Sequence, residues 1–399
     1  MRDLPAIEGG QPVRPSLLPY GQQWLDDDDL NAVIGVLRSD FLTTGPTIEE
    51  FEKEFASCAG AKYAVAVSNG TAALHAAAFA AGIGPGDEVI TTPLTFAASA
   101  NCVLYQGAKV VFADIIKESG NINPKEIIKH ITPSTKAIIP VHFTGLPVDM
   151  DSIRQIAEEH NLIILEDACH ALGANYRGRR IGEDSELAVF SFHPVKHITT
   201  GEGGMITTNN VELYMKMLSF RTHGITRNKT DLCQDNGPWY YEMQNLGYNY
   251  RMTDIQAALG ISQLQKSDRF LDRRKEIATK YDEGFSCLEE LKVPPRYQDR
   301  DSAWHLYIIK LVENKLRVGR REIFEALRAE NIGVNVHYLP VYLHPYYQAL
   351  GYKVGLCPNA EKLYSSIITL PLFPKMSSED VSDVITAVKK VITYYRKSM

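Results

Sequence analysis

Long apolar runs are missing from this 399-residue chain. No stretch approaches the ~20 residues that span a bilayer, and the N-terminus has no charged region followed by an apolar one, so a cytoplasmic protein without a membrane span is expected. Basic blocks are missing as well. The formal net charge is −6, and without a Lys/Arg stripe the electrostatic footprint of a nucleic-acid binder is lacking; small molecules are the expected partners. Cysteines are few and scattered, at Cys58, Cys102, Cys169, Cys233, Cys287 and Cys357. They form no CxxC pair and no cluster with His at zinc-ligand spacing, which argues against a metal centre. Neither GxGxxG nor GxxxxGK(S/T) occurs, so the fingerprints of dinucleotide and P-loop sites are lacking.

What the chain does have is an apolar fraction of 45%, enough for a sizeable core. Short β-branched runs alternate with helix-length amphipathic segments. Tyr63–Val67, Glu88–Thr91, Lys109–Phe112, Ala137–Pro140, Leu162–Leu165 and Leu187–Phe190 have the pattern of strands. Helices are expected over Asp26–Arg38, Ile48–Ala59, Thr71–Ala81, Thr95–Gln106, Pro124–His130 and Met150–His160. Such alternation predicts an α/β fold with a mostly parallel, doubly covered sheet. Near Tyr250 the pattern changes to two long helices, Thr253–Gln265 and Asp268–Leu288. Strands over Trp304–Val312, Val334–His337 and Ile367–Leu370, with helices Arg320–Glu330 and Ser378–Tyr395, then suggest a compact C-terminal α/β unit. The expected division is 1–265 as a large domain with N-terminal helices and 266–399 as a small one.

Three places carry chemistry. The apolar run Leu162–Leu165 ends in Glu166–Asp167–Ala168–Cys169–His170, and in open α/β sheets ligands bind beyond the carboxyl ends of strands. A carboxylate there could hold a cationic ring nitrogen, bind Mg²⁺ or cap the next helix. The loop Ser191–Phe192–His193–Pro194–Val195–Lys196–His197 follows another strand and precedes a glycine-rich stretch. A lysine in a partly dry pocket loses its proton readily and can attack an aldehyde to give a Schiff base. Between Tyr63–Val67 and an alanine-rich helix lies Ser68–Asn69–Gly70–Thr71–Ala72. Free N–H groups at such a helix start bind anions, phosphate above all, although Ser68, Asn69 or Thr71 could simply cap the helix. One cofactor uses all three: pyridoxal 5′-phosphate (PLP) needs a lysine for its aldehyde, a carboxylate for its pyridine nitrogen and a helix N-terminus for its phosphate.

Together, Glu-Asp-Ala-Cys-His-Ala-Leu-Gly from Glu166, Ser-Phe-His-Pro-Val-Lys from Ser191 and Gly247-Tyr-Asn-Tyr-Arg-Met-Thr-Asp-Ile-Gln-Ala-Ala-Leu-Gly260 resemble the DegT/DnrJ/EryC1/StrS sugar aminotransferases. These belong to the fold-type I PLP-dependent transferases, and the resemblance spans nearly the whole chain. It implies Lys196 as the Schiff-base lysine and Asp167 as the acid at the pyridine nitrogen, with Gly70, Thr71, Ala72 and Ser191 around the phosphate. Phe96 would stack on the cofactor ring, the alternative being a core position. His170 would stand at the phenolic oxygen, where Gln is commoner, with a protonation that depends on pH. Asn249 would reach the phosphate of a neighbouring subunit in a homodimer with shared active sites, or else cap the helix beginning near Arg251. His337, Tyr338 and Arg227 are candidate substrate contacts, and Leu232–Tyr241 a candidate lid. Arg221, His223, Arg227 and Lys229 could attract a diphosphate or be a solvated face.

Ser-Phe-His-Pro-Val-Lys suggests the pseudaminic acid subgroup, which moves an amino group from L-glutamate to C4 of a UDP-4-keto-6-deoxy-N-acetyl-hexosamine. Amination at C3, another nucleotide carrier, or a binding protein on the same fold are the alternatives. The family's dehydratases carry His in place of the lysine, so Lys196 argues against that chemistry.

Overall fold

The computed structural model describes residues 4–234 and 236–397. Helices α1 (Asp27–Leu37) and α2 (Pro46–Ala59) precede a seven-stranded sheet built from β1 (Tyr63–Val67), β2 (Glu88–Thr91), β3 (Lys109–Phe112), β4 (Thr135–Ile139), β5 (Ile163–Asp167), β6 (Leu187–Ser191) and β7 (Gly204–Thr208). Between the strands run α3 (Gly70–Ala80), α4 (Ala98–Tyr105), α5 (Pro124–Lys129) and α6 (Met150–His160), and α7 (Val211–Phe220) follows the sheet. The strand order is β1-β7-β6-β5-β4-β2-β3. Only β7 runs against its neighbours, pairing antiparallel with β1 and β6, whereas β2 to β6 pair in parallel. The link from β6 to β7 is the loop that carries Lys196. It holds no crossover helix, so the chain comes straight back.

Alternate residues of each strand feed two cores. Val65, Val67, Val89, Val110 and Ile139 pack beneath α3 and α4, while Ala64, Ala66, Ile90, Ile138 and Phe190 face α2, α6 and α8 (Asp254–Leu264). Burial on both faces is why these strands read as continuous apolar runs. A third core surrounds a three-stranded antiparallel sheet of β8 (Leu291–Lys292), β9 (Tyr307–Leu311) and β10 (Ile367–Leu370), covered by α9 (Ser267–Phe285), α10 (Arg320–Ala329) and α12 (Ser378–Tyr395). Leu18 belongs to this core and bridges to Ile332, so part of the N-terminal segment packs on the C-terminal one. Helix α11 (Pro358–Ser366) leads into β10.

Two expected elements differ. The helix foreseen over 95–106 begins at Ala98, because the Ser99 amide donates to the Phe96 carbonyl and leaves Phe96 in a turn. The strand foreseen over 334–337 is a single bridge, Asn335 to Thr369, after which His337 and Tyr338 turn into the cavity described below. Helices α7 and α11 were not foreseen.

Helix α8 starts in a capping box between Thr253 and Gln256 and packs against α2. A Cβ on Gly260 would stand 2.6–2.9 Å from the ring of fully buried Phe51. Gly260→Ala should therefore cost about 1–3 kcal/mol by overpacking, read as a lower urea midpoint at unchanged slope; an unchanged midpoint would show that this contact yields freely.

Candidate active site

The carboxyl ends of β1, β6 and β5 lie along one edge of the sheet, and the start of antiparallel β7 joins them there. In register, Gly204 stands opposite both Val67 and Ser191. Beyond this edge opens a cavity of about 980 Å³. It collects Gly70, Thr71, Ala72, Asp167, Ser191 and Lys196, and also Phe96, His170, His337 and Tyr338.

Helix α3 enters the cavity with its N-terminus. Asn69 is the cap, its side chain accepting from Ala72 N at 2.8 Å. The N–H groups of Gly70 and Thr71 have no preceding carbonyl within reach in their own helix. Two glycines let this end come so close to the sheet. A Cβ on Gly70 would meet the Ser191 Cβ at 2.9 Å, and one on Gly204 the Asn69 carbonyl oxygen at 2.5 Å. Two N–H groups, the helix dipole and the Ser191 hydroxyl thus form a cradle suited to a phosphate.

Asp167, 5% exposed, ends β5. Its Oδ1 accepts from Cys169 N at 3.1 Å and its Oδ2 from the Ser99 hydroxyl at 2.5 Å, and Ser99 in turn bonds Thr95 at 2.8 Å. Each carboxylate oxygen keeps a lone pair for a ligand. The helix-capping alternative survives only as the short turn at Cys169. Lys196 is half-buried, and desolvation foremost lowers its pKa, helped by Arg274 and opposed by Cys169 and Asp167. Burial and the Asp167 charge hold the Cys169 thiol protonated.

His170 and His305 pack with ring centroids 4.3 Å apart at a tilt of 37°, and His170 Nε2 lies 3.2 Å from the Tyr338 hydroxyl. Burial first, then the Lys196 charge, pushes the His170 pKa well below the ordinary imidazole value. The charged form of the ring is disfavoured, which works against the pH dependence expected of it. Its Nδ1 is buried and has no partner among the described residues, so its hydrogen-bonding capacity is unused. Phe96 is 61% exposed at the cavity, with Tyr338 6.3 Å away, which dismisses the core alternative.

Other candidates stand elsewhere. Asn249 is exposed and outside this cavity, and the cap of α8 is Thr253, so the capping alternative for Asn249 fails. Arg227 lies over the Tyr241 ring at 5.5 Å, away from the cavity. Arg221 pairs with Glu52 and bonds the Ala66 carbonyl, a structural tie rather than a diphosphate site. Residues 225–226 and 242–243 pair as a small hairpin, and none of the described residues between 232 and 241 lines the cavity; Asp235 lies outside the described residues. Sequence reasoning missed Ser99, His305 and Arg274, which touch the site only through the fold.

Residues 23–389 match the DegT/DnrJ/EryC1/StrS aminotransferase family. The chain belongs to this family. It is 45% identical over 381 residues to the spore coat polysaccharide biosynthesis protein SpsC of Bacillus subtilis, covering 95% of this chain and 98% of that one. Among solved structures, Helicobacter pylori PseC, an aminotransferase involved in the biosynthesis of pseudoaminic acid, superposes with a TM-score of 0.89 at 33% identity, over 95% of this chain and 100% of its own. The PLP-form of Spr1654 of Streptococcus pneumoniae gives 0.89 at 31% identity, over 96% and 100%. This family member thus has the fold-type I architecture, acts as a sugar aminotransferase and uses PLP. The cavity fits that cofactor: it holds a lysine, a buried carboxylate and a helix start, Lys196, Asp167 and the Gly70–Ser191 cradle, which could take its aldehyde, ring nitrogen and phosphate.

Two outcomes follow from this geometry. Gly204→Ala should displace the start of α3 and weaken PLP binding to the apoenzyme about ten-fold or more, the worth of one charge-assisted hydrogen bond; titration by absorbance checks this, and unchanged affinity would exclude the cradle. Burial also holds His337 at a pKa of about 4 against 6.5 unfolded, and His170, His197 and His305 well below 6.5. The unfolded chain binds protons first as pH falls, so stability is complete above 6.5 and is lost progressively from there toward 4. Urea midpoints at these two ends should differ; a flat profile would mean that the rings are charged in the fold.

Proposed function

We propose that the chain transfers the amino group of L-glutamate to the C4 keto group of a UDP-4-keto-6-deoxy-N-acetyl-hexosamine, as in pseudaminic acid-type nucleotide-sugar biosynthesis. The observation that carries the proposal is the meeting of Lys196, Asp167 and the start of α3 in one cavity, in a chain similar to PseC along 95% of its length. When bound, PLP supplies the carbon that carries the amino group and a ring that takes up charge.

The remaining work belongs to side chains. Lys196 Nζ, its charged form disfavoured by desolvation, takes the α-proton of glutamate and, in the return half, delivers a proton to C4 of the sugar. Asp167, steadied by Ser99 and Cys169 N, holds a proton on the ring nitrogen by its opposite charge. Gly70, Thr71 and Ser191 hold the phosphate, with Ala72 lining it, while His170 donates from Nδ1 to the phenolic oxygen and Phe96 covers the ring. His337 and Tyr338 face the sugar. Asn249, exposed on its own subunit, reaches the phosphate of the neighbouring one in a cytoplasmic homodimer. The large unit 1–265 carries the cofactor and 266–399 closes on it.

The 45% identity to SpsC favours a second reading, the same transfer on another nucleotide keto sugar, at C3 or on a dTDP or GDP carrier.

Incubation with L-glutamate and the UDP-4-keto sugar, with product identified by mass and NMR, tests both. The wild type should yield 2-oxoglutarate and a 4-amino sugar. Lys196→Ala should lose the yellow chromophore and about 10²–10⁴-fold or more of the rate. Turnover with a different keto sugar alone would replace the first reading by the second, and no turnover with any amino donor would defeat both.

A further inference from the structure

A second cleft, of about 560 Å³, lies outside the active-site cavity. The partition between them is thin: Phe143 and Trp304 line this cleft, while the next residue, His305, lines the other. Four lysines from four separate segments face it, namely Lys117 after β3, Lys292 on β8, Lys310 on β9 and Lys362 on α11. Its carboxylate is Glu118, which pairs with Lys117 at 3.7 Å. Among the described residues, Lys292, Lys310 and Lys362 have no acidic partner within ion-pair distance.

This grouping opposes the fold. Lys292 and Lys310 are direct cross-strand partners, and like charges directly opposite in a sheet are destabilising. Lys310 is half-buried, and desolvation foremost, then Lys292, Lys362 and Lys117, lower its pKa against the opposing charge of Glu118. A separate observation points the same way: Trp304, 4% exposed, lines the cleft, and its buried indole N–H has no acceptor among the described residues. Ile308, Leu363 and Ile367 supply an apolar floor. Excess positive charge, an unused donor and an apolar base together lack only an anion.

We propose that this cleft binds a diphosphate group, held by Lys292, Lys310 and Lys362 with the Trp304 N–H as a further donor. Phosphate oxygens accept several charge-assisted hydrogen bonds at once, and a doubly charged chain relieves the repulsion that a single carboxylate would leave. The group could arrive as inorganic pyrophosphate or as part of a nucleoside diphosphate, and the apolar floor suits a base or sugar.

The test is calorimetric titration of the PLP-loaded protein, whose own phosphate cradle is filled, with inorganic pyrophosphate and separately with UDP. Lys292→Gln/Lys310→Gln is the comparison. Wild type should bind one equivalent, and the double variant should bind about ten-fold or more weakly, with its PLP spectrum unchanged and its melting temperature without ligand equal to or above that of the wild type. UDP binding that the double variant weakens, without pyrophosphate binding, would identify a nucleotide site in this cleft, and pyrophosphate binding that it weakens a site for the diphosphate itself; UDP binding that the double variant retains belongs to the active-site cavity. Absence of binding by both probes, or equal affinity in the double variant, overturns the proposal. The comparison with the double variant reads this cleft alone, so it stands or falls apart from the acceptor sugar.

Discussion

The site depends on how closely one helix end can approach one sheet edge. Gly204 stands in register between Val67 and Ser191, and Gly70 lies against Ser191 from above. Any side chain at either glycine would occupy the space of Asn69 or Ser191 atoms. The N–H groups of α3 therefore reach the edge where β5 and β6 deliver Asp167 and the Lys196 loop. Because β7 is antiparallel, its beginning rather than its end lies at this edge. A parallel strand there would have placed a carboxyl end and a crossover connection where the helix start now sits.

Much of this was legible in the sequence because strand ends are marked by composition. Apolar runs stopping at Glu166–Asp167 and at Ser191, and one stopping before Ser68–Asn69–Gly70, locate three points on one sheet edge once the strands are parallel. The element bounds followed closely for the same reason: both faces of the sheet are covered, so its strands stand out as uninterrupted β-branched segments. Side-chain periodicity failed where tertiary contacts decide. Phe96 sits in a turn because Ser99 holds its carbonyl, and 334–337 makes one bridge because His337 is drawn to Thr369, 2.9 Å from its Nδ1.

Contacts made across distant sequence were not legible at all. Ser99 is 68 residues from Asp167, and no local pattern reports that its hydroxyl fixes the carboxylate. His170 shows the same limit in its electrostatics. Its identity suggested a pH-sensitive group, but its ring lies against His305, over a hundred positions away, in a dry space that disfavours the protonated form. Proton affinity is set by what surrounds a group, and sequence neighbours supply little of that.

Arg274 joins the two halves of the problem. Its guanidinium, 1% exposed, bonds the carbonyls of Trp304, His305 and Leu372 at 2.9–3.3 Å and that of Lys196 at 3.4 Å. Carbonyl dipoles satisfy donors but do not cancel a charge, and burial lowers the Arg274 pKa to about 9. A carboxylate in their place would neutralise the guanidinium, and with it one of the influences that disfavour an ammonium on Lys196. The charge is costly to bury, yet here it both ties α9 to the Lys196 loop and opposes Asp167 and Cys169, whose effects favour the protonated lysine. The amine at position 196 is thus poised by a balance: desolvation and Arg274 on one side, the carboxylate that the ring nitrogen requires on the other.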